Sequence, residues 1–175
     1  MKRYQRGTAT LDIAITLTFG LLLFGILNAG LISPLKNYAR AAEINHTVLT
    51  LTQAATRYYG SDVMQQRCLT PSKPLTLTRL INDHYLDSAI TQRSERYNVR
   101  YHYRTITPAP PHRPWTRPSR IEVDVTFTTS SEMNAILGHV SPHSITANTL
   151  YFTAPLSNDI TASWSHFTPE TGCLQ

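Results

Sequence analysis

Asp12 is the only ionisable residue in an otherwise apolar run that extends over residues 11–35. A charged side chain at the centre of a spanning segment costs about 2.5–3.5 kcal/mol, and residues that carry such a cost are functional by default. The chemistry open to it is charge pairing. If a neighbouring chain brought a cation to Asp12, both charges would be neutralised within an apolar bundle and the axial register would be fixed. The alternative is a carboxylate at a membrane interface, where it costs little.

Other chemistry-bearing residues are few. Arg113, Trp115, Arg117 and Arg120, with His112, interleave in a proline-rich stretch over residues 108–118. Arginine beside an aromatic ring suits nucleic-acid backbone and base stacking, a glycan, or a protein partner. The same residues also fit a stiff surface loop with Trp115 folded back onto the domain. His139 and His143 are four apart, but Pro142 lies between them and argues against a helical metal pair. The chain has no glycine-rich phosphate loop, nucleophile elbow or paired zinc-ligand motif. We therefore expect no enzyme activity, no metal and no cofactor.

The elements that must position these residues follow from periodicity. Residues 8–59 read as one long helix. Taken as helical, residues 11–32 would rise roughly 33 Å, enough for a bilayer core of about 30 Å. Gly20, Gly25, Gly30 and Pro34 are its weak points. From Leu35 onward the pattern is amphipathic, with Leu35, Tyr38, Ala41, Ala42, Val48, Leu49, Leu51, Ala55 and Tyr58 as the apolar stripe. Gly60 is the expected C-terminal cap. A short helix is expected over residues 76–86. Alternation predicts strands over residues 98–107 and 121–128, with the proline-rich stretch as an extended loop between them. Ser130 or Ser131 is expected to cap a helix over residues 132–140. Two further strands are expected at residues 149–153 and 160–167, the second containing Trp164.

The N-terminus has a recognisable form. Lys2, Arg3 and Arg6 make a short basic leader ending in Gly7, followed by Thr8-Ala9-Thr10-Leu11-Asp12 and the apolar run. In this it resembles the type IV pilin family, which includes the pseudopilins of type II secretion. The likeness is close over residues 1 to 60 and architectural beyond. It implies that a prepilin peptidase cuts after Gly7 and that the new amine of Thr8 is methylated. Asp12 then stands at the fifth mature position, where it would pair with the Thr8 amine of a neighbouring subunit. The family prefers phenylalanine or methionine where Thr8 stands, and glutamate where Asp12 stands.

The formal charge of +5 is concentrated in the leader. From Thr8 onward 13 Lys+Arg face 11 Asp+Glu, so charge does not demand a nucleic-acid partner. A basic N-terminus is expected to stay inside, leaving the rest of the chain outside. Cys68 and Cys173 then lie in an oxidising compartment and are expected to pair, tying the tail to the region after the long helix. Family members commonly carry a disulfide that staples the C-terminal segment in this way.

These readings combine into an α+β, pilin-like fold. A long N-terminal helix, transmembrane in its first half, packs on a small antiparallel β-sheet domain. The expected divisions are a leader over residues 1–7, a transmembrane or filament-core segment over 8–34, an amphipathic helix over 35–60, and an extracytoplasmic globular domain over 61–175. The expected function is structural, as a subunit of a type IV pilus or related filament, with a minor pilin favoured. The implied partners are other pilin subunits, the prepilin peptidase, the inner-membrane assembly machinery and the membrane. DNA or a host-surface ligand is a further candidate. The expected location is the bacterial inner membrane, single-pass with the C-terminus outside, then an extracellular pilus or periplasmic pseudopilus. The alternative is a signal-anchored extracytoplasmic binding domain that does not polymerise.

Overall fold

The computed structural model describes residues 5–27, 30, 32–156 and 167–174, and for residues 5–11 the backbone only. The chain is α+β. Helix α1 spans Gln5–Leu27 and α2 spans Ser33–Gln66. A short helix α3 follows at Leu77–Asn82, then a 3₁₀ turn at Ser88–Gln92. Strands β1 (Arg96–Ile106) and β2 (Trp115–Thr126) precede helix α4 (Ser130–Ile136). Strands β3 (Ser144–Thr146) and β4 (Thr149–Pro155) complete a four-stranded antiparallel sheet in the order β1-β2-β4-β3.

Helix α2 is the spine of the core. Pro34 lies in its first turn, where a missing N–H costs nothing. Ala41, Ile44, Thr47, Leu51, Ala54, Ala55, Tyr58, Tyr59, Asp62 and Val63 are buried along it at spacings that keep one face inward. That face meets Tyr97, Val99 and Tyr101 of β1, Ile121, Val123 and Val125 of β2, and Leu150 of β4 in one hydrophobic cluster. The Tyr59 and Tyr101 rings meet edge to face at 5.7 Å, and the Tyr101 hydroxyl donates to the Ala55 carbonyl at 3.5 Å.

The buried stripe differs from the expected one. Leu35, Tyr38 and Leu49 are exposed, whereas Ile44 and Ala54 are buried. Leu35 and Tyr38 precede the first buried position, Ala41, so their apolar character finds no sheet to meet. The helix also runs past Gly60 to Gln66 and is capped by Arg67, which adopts a left-handed φ of 56° and donates its N–H to Val63 O at 2.8 Å. Burial of Asp62 and Val63 carries it through the glycine.

Membrane spanning is the main correction. The membrane span expected over residues 11–32 is not found: α1 is described over Gln5–Leu27 and α2 over Ser33–Gln66, with π-helical backbone at Gly30 and Ile32 between them. The apolar part of α1, residues 11–27, rises roughly 25 Å, short of a core about 30 Å thick. Among the described residues no helix is long and apolar enough to cross a membrane. The transmembrane first half of the fold, the single-pass inner-membrane anchor and the locations built on it are therefore not supported.

Smaller differences have local causes. Helix α3 is capped by Thr76, whose hydroxyl accepts from Arg79 N at 3.2 Å, and it stops at Asn82, before His84 turns left-handed at φ 60°. Helix α4 is capped by Thr129, not Ser130 or Ser131; its hydroxyl accepts from Glu132 N at 3.3 Å. Strand β2 begins at Trp115 and so takes in part of the stretch read as a loop. Pro118 is tolerated because β4 pairs β2 only from Arg120 onward. Among the described residues, 115–118 pair with a strand on one side alone, and the register shifts beside Pro118. Strand β3 was not foreseen. The strand expected over 160–167 lies outside the described residues apart from Phe167, which forms a bridge with Leu174.

Candidate functional site

The N-terminal candidates all fall on α1. Gly7 and Thr8 have helical backbone, and Asp12 stands one turn further on. Asp12 is exposed, and its carbonyl accepts from the Thr16 hydroxyl at 2.8 Å. The Thr18 hydroxyl likewise turns back to Ala14 O at 2.7 Å, so both threonines spend their polarity on the backbone and leave the helix surface apolar. Every described side chain of α1, from Asp12 to Leu27, is exposed. Ile13, Leu17, Phe19, Leu22, Phe24 and Ile26 are 58–66 % accessible. At 3.6 residues per turn these positions fall on opposite sides of the helix, so α1 from Ile13 to Leu27 has no polar face.

The C-terminal tail is fastened to the end of α2. Cys68 and Cys173 form a disulfide across 105 residues of sequence. Around it the Leu69 N–H donates to Gly172 O at 2.8 Å and the Leu174 N–H to Arg67 O at 2.7 Å. The buried Tyr59 hydroxyl donates to Leu69 O at 2.8 Å. Burial pushes the Tyr59 phenol up to about 12, although the charge of Arg117 pulls the other way. This contact therefore keeps its proton at any ordinary pH.

Trp115 belongs to the same fastening. Its ring N–H donates to Pro169 O at 3.0 Å. Gly172 has φ +69°, and a Cβ there would come within 2.5 Å of the Trp115 ring. The tryptophan is thus the folded-back one of the two arrangements open to it, with its ring against the tail. Arg113 and Arg120 are exposed, and Arg117 is half-buried. Burial lowers the Arg117 pKa, Tyr59 opposes this, and the charge of Arg104 adds to the lowering. The structure brings Arg117 and Arg120 onto β2 but gives them no open aromatic platform in Trp115.

Two features were missed by sequence reasoning. One is a polar cleft between the C-terminal part of α2 and the end of α3. Tyr58, Asp62, Ser72, Lys73, Asn82 and His84 are among its lining residues. Asp62 accepts from Ser72 N at 2.9 Å and from the Ser72 hydroxyl at 2.5 Å, so its carboxylate braces the loop after α2. No sequence signal links two elements of this kind. The other is Arg40, which donates to Glu95 at 2.7 Å, lies 3.5 Å from Glu132 and sits 5.8 Å from the centre of the Phe127 ring. It ties α2 to the start of β1 and to α4. Burial disfavours the Glu95 carboxylate, but the hydrogen bond and charge of Arg40 outweigh this and hold its pKa below the ordinary value.

The histidines take separate structural parts. The His139 ring meets Tyr38 edge-on at 5.7 Å, and the His143 N–H donates to Tyr151 O at 2.7 Å. Among the described residues no group of three or more His, Cys, Asp or Glu is placed to hold a metal ion. Comparison with protein-family models, with characterised proteins and with solved structures gave no match.

Proposed function

We propose that this chain is a structural subunit of a type IV pilin-like filament. In that filament α1 packs among the α1 helices of neighbouring subunits, and the α+β domain lies outside the bundle. The observation that carries this reading is the surface of α1, which is apolar on all sides and exposed at every described position. A helix that is hydrophobic all round belongs in an apolar interior. An exposed apolar surface of this extent marks an association site. Identical helices from other subunits supply such an interior, and they can be added without limit because the domain does not cover α1.

The resemblance at the N-terminus fills in the chemistry. Cleavage after Gly7 frees the amine of Thr8, which is then methylated. Asp12 of one subunit pairs with that amine on the next and sets the stagger between them. The stapled tail keeps the domain closed while subunits are added.

The test is made on filaments from cells that produce the chain. Intact mass and N-terminal sequencing should find it in the filament fraction, beginning at N-methylated Thr8. A chain that keeps Met1 throughout and never enters filaments overturns the proposal. Asp12→Ala should leave cleavage intact and reduce incorporation. Normal incorporation of that variant would remove Asp12 from the register role.

A further inference from the structure

The polar cleft between the ends of α2 and α3 has walls that the fold holds in place. One wall is the loop after α2. Cys68 near its start is bonded to Cys173, and the buried Asp62 carboxylate accepts from the Ser72 N–H at 2.9 Å and from its hydroxyl at 2.5 Å. The other wall is the turn after α3. The Asp83 N–H donates to Arg79 O at 2.9 Å, the His84 N–H to Ile81 O at 3.1 Å and the Tyr85 N–H to Leu80 O at 2.9 Å. These bonds hold His84 left-handed, at φ 60°. A non-glycine residue in that region costs free energy, and such strain collects at ligand sites. The cleft has a volume of about 490 Å³, inside the roughly 300–1,000 Å³ of small-molecule sites.

The lining narrows the ligand. Gln65, Gln66, Lys73, Asn82, Asp83 and His84 line the cleft, and their side chains make no hydrogen bond among the described residues. An apolar ligand would strip these groups of water and leave them unpaired. An anion would meet the carboxylates of Asp62 and Asp83 against the single ammonium of Lys73. A metal ion finds no group of three or more His, Cys, Asp or Glu among the described residues. Peptides are taken up along a strand edge or in an apolar groove, whereas this cleft is polar and lies between two helices. A neutral saccharide fits, because each of its hydroxyls both donates and accepts. The three amides present a donor and an acceptor side by side, the Asp83 carboxylate accepts, and the Lys73 ammonium donates. Tyr58 and Tyr85, edge to face at 5.5 Å, add an apolar wall for the C–H face of a sugar ring.

We propose that this cleft binds a neutral saccharide, with Gln65, Asn82 and Asp83 holding its hydroxyls. The site belongs to the α+β domain and uses nothing of α1, so its test is separate from that of filament assembly.

The experiment uses the full chain in a zwitterionic detergent that carries no sugar headgroup. Maltotriose, cellotriose, chitotriose and mannotriose are titrated in turn and followed by calorimetry. At least one should bind with a Kd of about 1 mM or below. The double variant Gln65→Ala, Asn82→Ala should bind that sugar roughly twentyfold more weakly, because two hydrogen bonds to it are lost. Both side chains are exposed and make no hydrogen bond within the described chain, so the thermal midpoint of the variant should be unchanged. Arg113→Gln, in the proline-rich turn, should bind as the parent does. Failure of all these sugars to bind overturns the proposal, as does undiminished binding by the double variant. Loss of binding in Arg113→Gln would also overturn it and move the site to the turn. Binding of a heparin oligosaccharide in preference to every neutral sugar would overturn it and make the cleft an anion site.

Discussion

Helices α1 and α2 come from adjoining stretches of chain and meet opposite fates. Along α2 the apolar residues return every three or four positions, and the sheet covers them. Along α1 they occur on every side, and nothing in the described chain covers them. A helix with one apolar stripe can be satisfied by its own domain. A helix with no polar side cannot, because one sheet reaches one face only. The domain therefore closes on α2 and its stapled tail, and α1 is left uncovered by the described chain. The lesson is that the arrangement of hydrophobic residues, more than their number, decides which helix its own domain can bury.

This contrast can be broken most sharply at the staple. Replacing Cys68 and Cys173 by serine removes a cross-link over 105 residues. It should destabilise the domain by up to about 4.7 kcal/mol in the chain-entropy limit. Urea unfolding followed by tryptophan fluorescence should show it. A shift below about 1 kcal/mol would mean that the hydrogen bonds at Leu69 and Leu174 hold the tail unaided.

Leu51 tests the α2 side. It is fully buried, so Leu51→Ala should cost about 3 kcal/mol, read as a lower urea midpoint at constant slope. A cost near zero would remove α2 from the centre of the core.

Arg40→Gln comes next. It leaves the buried Glu95 carboxylate without its cation and should cost about 2 kcal/mol at neutral pH, part of the pair being open to solvent. The folded-state pKa of Glu95 lies below its ordinary 4.5. Its contribution is therefore complete above that value and is lost as pH falls through the lower folded one. The native protein should lose stability from about pH 5 downward, and Arg40→Gln should flatten that dependence. Equal pH profiles for the two proteins would show that other carboxylates govern acid unfolding.

The smallest effect is expected on α1. Leu22→Ala removes a side chain that is 58 % exposed and should shift domain stability by less than about 0.5 kcal/mol. Its effect should appear instead in self-association measured by sedimentation. A large loss of domain stability from this change would mean that α1 packs on its own domain, and the contrast would disappear.

Much of the fold was legible because local patterns matched their tertiary setting. The short helix expected over residues 76–86 contains α3, and the alternation through Val99 and Tyr101 and through Ile121, Val123 and Val125 announced β1 and β2. The failures came where a local rule carried a hidden tertiary premise. Reading Trp115 to Pro118 as loop assumed that a strand is paired on both sides. Continuing one helix from Leu11 through Ile32 assumed that lipid would enforce it. The sites divide in the same way. Gly7, Thr8 and Asp12 are candidates because they lie within six consecutive residues, where a local motif can be read. The bracing of Asp62 by Ser72, the tie from Arg40 to Glu95 and the cross-strand pair of Arg104 and Arg117 each join distant segments and had no local signal.

What the amino-acid order determined by itself is the chemistry that depends on neighbours along the chain. It set the three basic residues before Gly7, the lone carboxylate in an apolar run, the two cysteines, and the absence of acid between Arg96 and Arg120. Tertiary structure decided everything that depends on what lies opposite. It stopped the stripe of α2 at Ala41, carried that helix past Gly60, turned Trp115 onto Gly172, and set arginine against arginine across the hairpin. The reason is that propensity and periodicity act over a turn or two of chain, whereas burial and strand register are fixed by partners dozens of residues away.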